Sequence, residues 1–70
     1  MPYILIQITK ENVSTEQKQQ LIQEATDLVV RVLDKDPATT FVVIDEIETD
    51  NWGVAGESVS TICNRQRIGT

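Results

Sequence analysis

The sequence predicts an α+β fold: a single βαβ unit with parallel strands, followed by a short C-terminal hairpin or strand. Three observations carry that prediction. An isoleucine-rich run of period two opens the chain, a long segment with apolar residues every three or four positions follows, and a second β-branched run comes after it. A strand, a helix of about twenty residues and another strand form a crossover that is right-handed in roughly 98% of cases, with the strands parallel.

The first strand covers Tyr3 to Thr9, with Ile4, Ile6 and Ile8 on one face and Tyr3, Leu5 and Gln7 on the other. Pro2 stands ahead of it, where a residue lacking an N–H is tolerated. Lys10 to Val13 is a polar break, and Ser14-Thr15-Glu16-Gln17 matches a capping box that starts a helix. Leu21, Ile22, Ala25, Leu28, Val29, Val32 and Leu33 are expected to face the sheet, with Lys18, Glu24, Asp27 and Arg31 largely on the solvated side. The helix stops within Asp34-Lys35-Asp36-Pro37, because proline disfavours helical geometry in the residue before it; Ala38 and Thr39 complete the turn. Thr40 to Ile44 is apolar on both faces and reads as the second strand. After Ile47 and the acidic Glu48 to Asp50, Gly53 and Gly56 mark a turn, and Val59 and Ile62 beyond it are expected to supply the short strand or hairpin.

A chain of 70 residues makes one domain, 1–70, and buries only about 60% of the surface that its unfolded form exposes. Its core offers about 3–5 kcal/mol unaided. One cysteine and no histidine exclude an internal disulfide and a compact metal site. One helix covers one face of a two-stranded sheet, and an apolar face of that size left open marks an interface; a homo-oligomer is expected. The net charge of −5 and pI near 4.4 disfavour nucleic acid as a partner. No cationic leader precedes the first apolar run, and no stretch approaches the ~18 apolar residues of a membrane helix. A cytoplasmic protein without a membrane partner is expected, and the sequon Asn12-Val13-Ser14 then has no consequence.

Few residues are equipped for chemistry. Cys63 has no histidine to activate it and is expected to be a small, half-buried side chain. Asp45, Glu46, Glu48 and Asp50 resemble a metal cluster in one dimension, but a strand sends Asp45 and Glu46 to opposite faces, so no metal is expected. Gly53 and Gly56 lack the spacing of a phosphate loop and read as a structural turn. Pro2 is different, since methionine aminopeptidase removes a leading methionine before a small residue and exposes a secondary amine. An α-amino group titrates near ~7.7–8.0, and an apolar setting disfavours its charged form. A depression of one unit, about 1.4 kcal/mol, leaves roughly half of it neutral at pH 7, where a general base works best. Parallel strands begin at the same end of a sheet, so Phe41 is expected beside Pro2 as part of that setting.

Pro2 ahead of an isoleucine-rich strand, Glu16-Gln17-Lys18 at the helix start, the βαβ length and Asn51-Trp52-Gly53-Val54-Ala55-Gly56-Glu57-Ser58 together resemble the 4-oxalocrotonate tautomerase family over the whole chain. The resemblance implies a tautomerase-like fold, a dimer that usually assembles into a hexamer, and no cofactor. It implies that Pro2 moves a proton between oxygen and carbon of an enol or 2-hydroxydienoate acid. Trp52 is then an apolar wall, contributed to the Pro2 of a neighbouring chain, and Phe41 a second wall. Members of the family carry one arginine before the helix and another at the start of the second strand; the matching positions here are Asn12 or Val13, and Phe41. A dicarboxylate such as oxalocrotonate fits this chain poorly, and Arg65, Arg67 or Lys10 from a neighbouring subunit are the candidate replacement cations. Hydrolytic dehalogenation on the same fold and a non-catalytic oligomeric module are the alternative readings.

Overall fold

The computed structural model describes the backbone of residues 1–68 and the side chains of residues 1–65. Strand β1 (Tyr3–Thr9), helix α1 (Thr15–Leu33) and strand β2 (Phe41–Ile47) form the expected parallel βαβ unit. The register runs from Tyr3 opposite Phe41 to Thr9 opposite Ile47. One further hydrogen bond continues the ladder at each end: Phe41 N–H donates to the Pro2 carbonyl at 2.9 Å, and Lys10 N–H to the Ile47 carbonyl at 2.8 Å.

The local signals at the ends of α1 act as their chemistry dictates. The Ser14 hydroxyl accepts from Gln17 N–H at 3.1 Å, while the Gln17 side chain accepts from Ser14 N–H at 2.9 Å, closing the capping box. At the other end Asp34 turns left-handed (φ 54°). Asp36 then caps a single 3-10 turn, Pro37–Thr39, through Ala38 N–H at 2.9 Å.

Two expectations about these elements need correction. Strand β2 does not stop at Ile44 but runs to Ile47, because each carboxylate that follows finds a partner on its own face. Asp45 accepts from Gln7 Nε2 at 3.2 Å on the open face, and Glu46 pairs with Lys18 of α1 on the covered face. Lys18 therefore lies inward, not among the solvated residues. The α1 residues that settle half-buried on the sheet include Ile22, Ala25, Val29 and Val30, whereas Leu28, Val32 and Leu33 stay exposed.

The expected short C-terminal hairpin forms, but at earlier residues than Val59 and Ile62. The hairpin consists of β3 (Gly53–Val54) and β4 (Glu57–Ser58), antiparallel, and Val59 and Ile62 belong to helix α2 (Val59–Ile68) and not to a strand. Ala55 (φ 53°) and Gly56 (φ 84°) are both left-handed, as a two-residue hairpin turn requires. Ser58 starts the helix, its hydroxyl accepting from Thr61 N–H at 3.2 Å. This unit packs on the 3-10 turn Thr49–Asn51 that follows β2: Val59 N–H donates to the Trp52 carbonyl at 2.8 Å, and Thr49 Oγ1 lies 2.6 Å from Ser60 Oγ. The Arg65 guanidinium grips the Glu57 carboxylate through both oxygens, each at 2.7 Å. Cys63, expected to be half-buried, is exposed, because α2 packs through Val59, Ser60 and Ile62.

No described side chain is buried. The radius of gyration is 16.0 Å over extents of 48 × 25 × 17 Å, against about 11 Å for a compact chain of this length. The sheet face away from α1 carries the cross-strand pairs Tyr3/Phe41 and Leu5/Val43, exposed by 62%, 52%, 46% and 42% in that order. No helix among the described residues is long and apolar enough to cross a membrane.

Two measurements check this account of the hairpin. A left-handed conformation costs a residue with a Cβ about 1–2 kcal/mol, part of which glycine offsets by its greater freedom when unfolded. Ala55→Gly is therefore expected to stabilise the protein by about 0.5–1 kcal/mol in denaturant unfolding; a loss of stability contradicts the assigned turn. The Arg65 guanidinium holds the Glu57 carboxyl below its ordinary value of 4.5. A lowered folded value means that the Glu57–Arg65 contact contributes fully above the ordinary carboxylate range and is lost as pH falls through the lowered value. NMR titration of the Glu57 carboxyl is expected to give a midpoint below 4.5 that returns toward it in Arg65→Gln.

Candidate active site

The ladder bond from Phe41 to Pro2 fixes the position of the candidate base. The Pro2 carbonyl is the last acceptor of the sheet, so the peptide plane after Pro2 is held by β2, while the ring nitrogen projects beyond the strand end. Pro2 is half-buried, and Met1, 83% exposed, is the residue attached to that nitrogen. Tyr3 and Phe41 face each other across the two strands next to it. The structure thus brings Pro2 and Phe41 together, and adds Tyr3, which sequence reasoning placed on the open face without pairing it to Phe41. The parallel register was the signal that would have found it.

Trp52 is not part of this grouping. It is half-buried at the far end of the sheet, beyond the 3-10 turn that follows β2. Six strand steps of about 3.3 Å separate Phe41 from Ile47, roughly 20 Å. The five residues from Glu48 to Trp52 span at most about 17 Å when extended, and part of them is coiled. Within one chain Trp52 does not reach Pro2.

The candidate replacement cations are at that far end too, and each described one is engaged. Lys10 Nζ is 3.2 Å from Glu48, both exposed, and Arg65 is held by Glu57. The side chain of Arg67 lies outside the described residues. Asn12 is left-handed (φ 60°) in the loop between β1 and α1, and Val13 beside it is half-buried. The four carboxylates that looked like a cluster are distributed: Asp45 to Gln7, Glu46 to Lys18, Glu48 to Lys10, and Asp50 exposed.

Two concavities among the described residues lie away from Pro2. A groove of about 390 Å³ lies between the end of β1 and the first half of α1, over Ile8, Val13 and Leu21 with Glu11 and Glu24 on its rim. A second, more polar hollow lies between the loop after β1 and α2, lined by Lys10, Asn12, Thr49 and Cys63 among others. Pro2 and its aromatic neighbours form an open corner of the protomer, a wall without an opposite wall.

Comparison with known proteins agrees with the fold. The family described as "Tautomerase enzyme" matches residues 2–62. The chain is 60% identical over 60 residues to Probable tautomerase K2 of Dickeya dadantii, a match covering 86% of this chain and 90% of that protein. It is similar to the crystal structure of DmpI from Helicobacter pylori, with a TM-score of 0.84 and 45% identity over 90% of this chain and 97% of that one. A heterohexamer 4-oxalocrotonate tautomerase from Chloroflexus aurantiacus superposes with a TM-score of 0.80 at 27% identity, covering 86% and 95% of the two chains. With the family model matching residues 2–62 and a relative 60% identical over 86% of the chain, this chain belongs to the tautomerase enzyme family.

Proposed function

We propose that the protein is a cytoplasmic isomerase in which Pro2, once Met1 is removed, moves a proton from oxygen to carbon of an enol or 2-hydroxydienoate acid. The single observation that carries this reading is the ladder bond at Pro2. It fixes the carbonyl side of the residue and leaves the nitrogen side free at an apolar corner formed with Tyr3 and Phe41. In the reaction, the neutral amine takes the enol O–H proton, the oxygen electrons form C=O, and the C=C pair takes the same proton back from the ammonium to form the new C–H bond. No external base, oxidant or cofactor enters the balance.

The reading includes an assembly of identical chains. A corner with one wall does not exclude water, and the apolar sheet face beside it is open in the protomer. A second copy that covers Leu5 and Val43 and carries its own Trp52 to the first copy's Pro2 supplies both missing parts. The heterohexamer relative supports an assembly of six as the expected order.

Three measurements test the proposal. Intact mass of native protein is expected to lack Met1. Pro2→Ala is expected to lower the rate of ketonisation of a small enol acid by about 10²–10⁴-fold, the usual share of a general acid–base group, with unchanged circular dichroism. Retained activity in folded Pro2→Ala would overturn Pro2 as the base, and permanent retention of Met1 would leave the non-catalytic module as the reading. Sedimentation is expected to give a multiple of 7.9 kDa, and a stable monomer would contradict the assembled site.

A further inference from the structure

We propose that the Pro2 site takes enol acids with one carboxylate, held by Lys35, and an apolar remainder seated on Tyr3 and Phe41. The inference rests on Pro2 being the base. Lys10, Lys18 and Arg65 are each committed to a carboxylate, namely Glu48, Glu46 and Glu57. Among the described residues, Arg31 and Lys35 make no ion pair, and both are exposed. Both lie at the Pro2 end, since α1 runs antiparallel to the strands it connects.

Lys35 is the better placed of the two. It sits in the turn that leads into β2, and two hydrogen bonds in series tie that turn to the proline. The Asp36 carbonyl accepts from Thr40 Oγ1 at 2.9 Å, and Phe41 N–H, next in the chain, donates to the Pro2 carbonyl at 2.9 Å. Arg31 is attached a full turn back along the helix, about 6 Å further from that turn. The long flexible stem of lysine delivers an ammonium as a point charge, and a charge-assisted contact to a carboxylate is among the stronger hydrogen bonds available.

The neighbours of Lys35 limit the substrate to one such group. Asp34 and Asp36 flank it, and the Asp36 carboxylate is already turned to Ala38 N–H. A second carboxylate at this end meets like charge instead of a second cation, and discrimination by repulsion is as effective as discrimination by attraction. The remainder of the substrate meets the Tyr3/Phe41 pair, at the edge of the Leu5/Val43 face that the second copy covers. The first polar cross-strand pair on that face is Gln7/Asp45, two layers further on.

The test uses the enol of phenylpyruvate as the monocarboxylate and the enol of oxaloacetate as the dicarboxylate, with the assembled protein lacking Met1. The wild type is expected to favour the former in kcat/KM by at least about tenfold. Lys35→Gln is expected to raise KM for the phenylpyruvate enol about tenfold, with kcat and its pH profile unchanged, and Lys35→Arg to recover most of the loss. Arg31→Gln and Lys10→Gln are expected to leave KM within about twofold. An unchanged KM in Lys35→Gln, a loss that appears in Lys10→Gln instead, or a preference for the oxaloacetate enol would overturn the proposal. Failure of the base itself reads differently: Pro2→Ala then turns over both enols, whatever residue stands at 35. Should the wild type turn over neither, binding of phenylpyruvate followed by Trp52 fluorescence decides the role of Lys35 alone: weaker binding in Lys35→Gln supports it and unchanged binding overturns it.

Discussion

A single helix covers only one face of a two-stranded sheet, and everything else in this protomer depends on that constraint. Helix α1 reaches the Ile4/Ile6/Ile8 side of the sheet and leaves Tyr3, Leu5, Phe41 and Val43 open. The result is a chain whose described side chains are at best half-buried. Its long shape, 48 Å in one direction, follows from the hairpin and α2 packing on the end of β2 and not back onto the sheet. Stability that other small domains find in a core must come here from contacts between surfaces.

Parallel strands impose a second separation, this time on the residues that matter chemically. Both strands begin at Pro2 and Phe41 and both end near the loop that leads to Trp52. Pro2 and Trp52, the two residues that the proposed site joins, therefore lie at opposite ends of a protomer, about 20 Å apart. Backbone hydrogen bonds hold both ends, Phe41 N–H to the Pro2 carbonyl at one and Val59 N–H to the Trp52 carbonyl at the other, and the Trp52 end adds side-chain contacts, Thr49 with Ser60 and Glu57 with Arg65.

Local chemistry was the legible part of the sequence. The capping box at Ser14, the stop before Pro37 and the alternation in β1 each depend on a few neighbouring residues, and the structure contains all three. Long-range pairing was the illegible part. Lys18 reads as solvated until Glu46 is known to lie opposite it, and Glu46 reads as loop until Lys18 is known to receive it. Val59 and Ile62 were misread for a related reason: a short β-branched run has no helical signal of its own, and the start of α2 is set by the Ser58 hydroxyl and by Trp52 at a distance. The adjacency of Pro2 and Phe41 was readable, because parallel order alone dictates it. The place of Trp52 relative to another chain is not written in one chain's topology.

The ladder bond at Pro2 has a practical corollary for anyone handling this protein. The sheet engages Pro2 through its carbonyl, so whatever is attached to its nitrogen leaves the register undisturbed. An amino-terminal affinity tag or a retained initiator would leave this strand register intact while the proposed amine is capped as an amide. Conformational quality and chemical competence are independent properties of such a preparation. Only the mass of the first residue distinguishes an active sample from a well-behaved inert one.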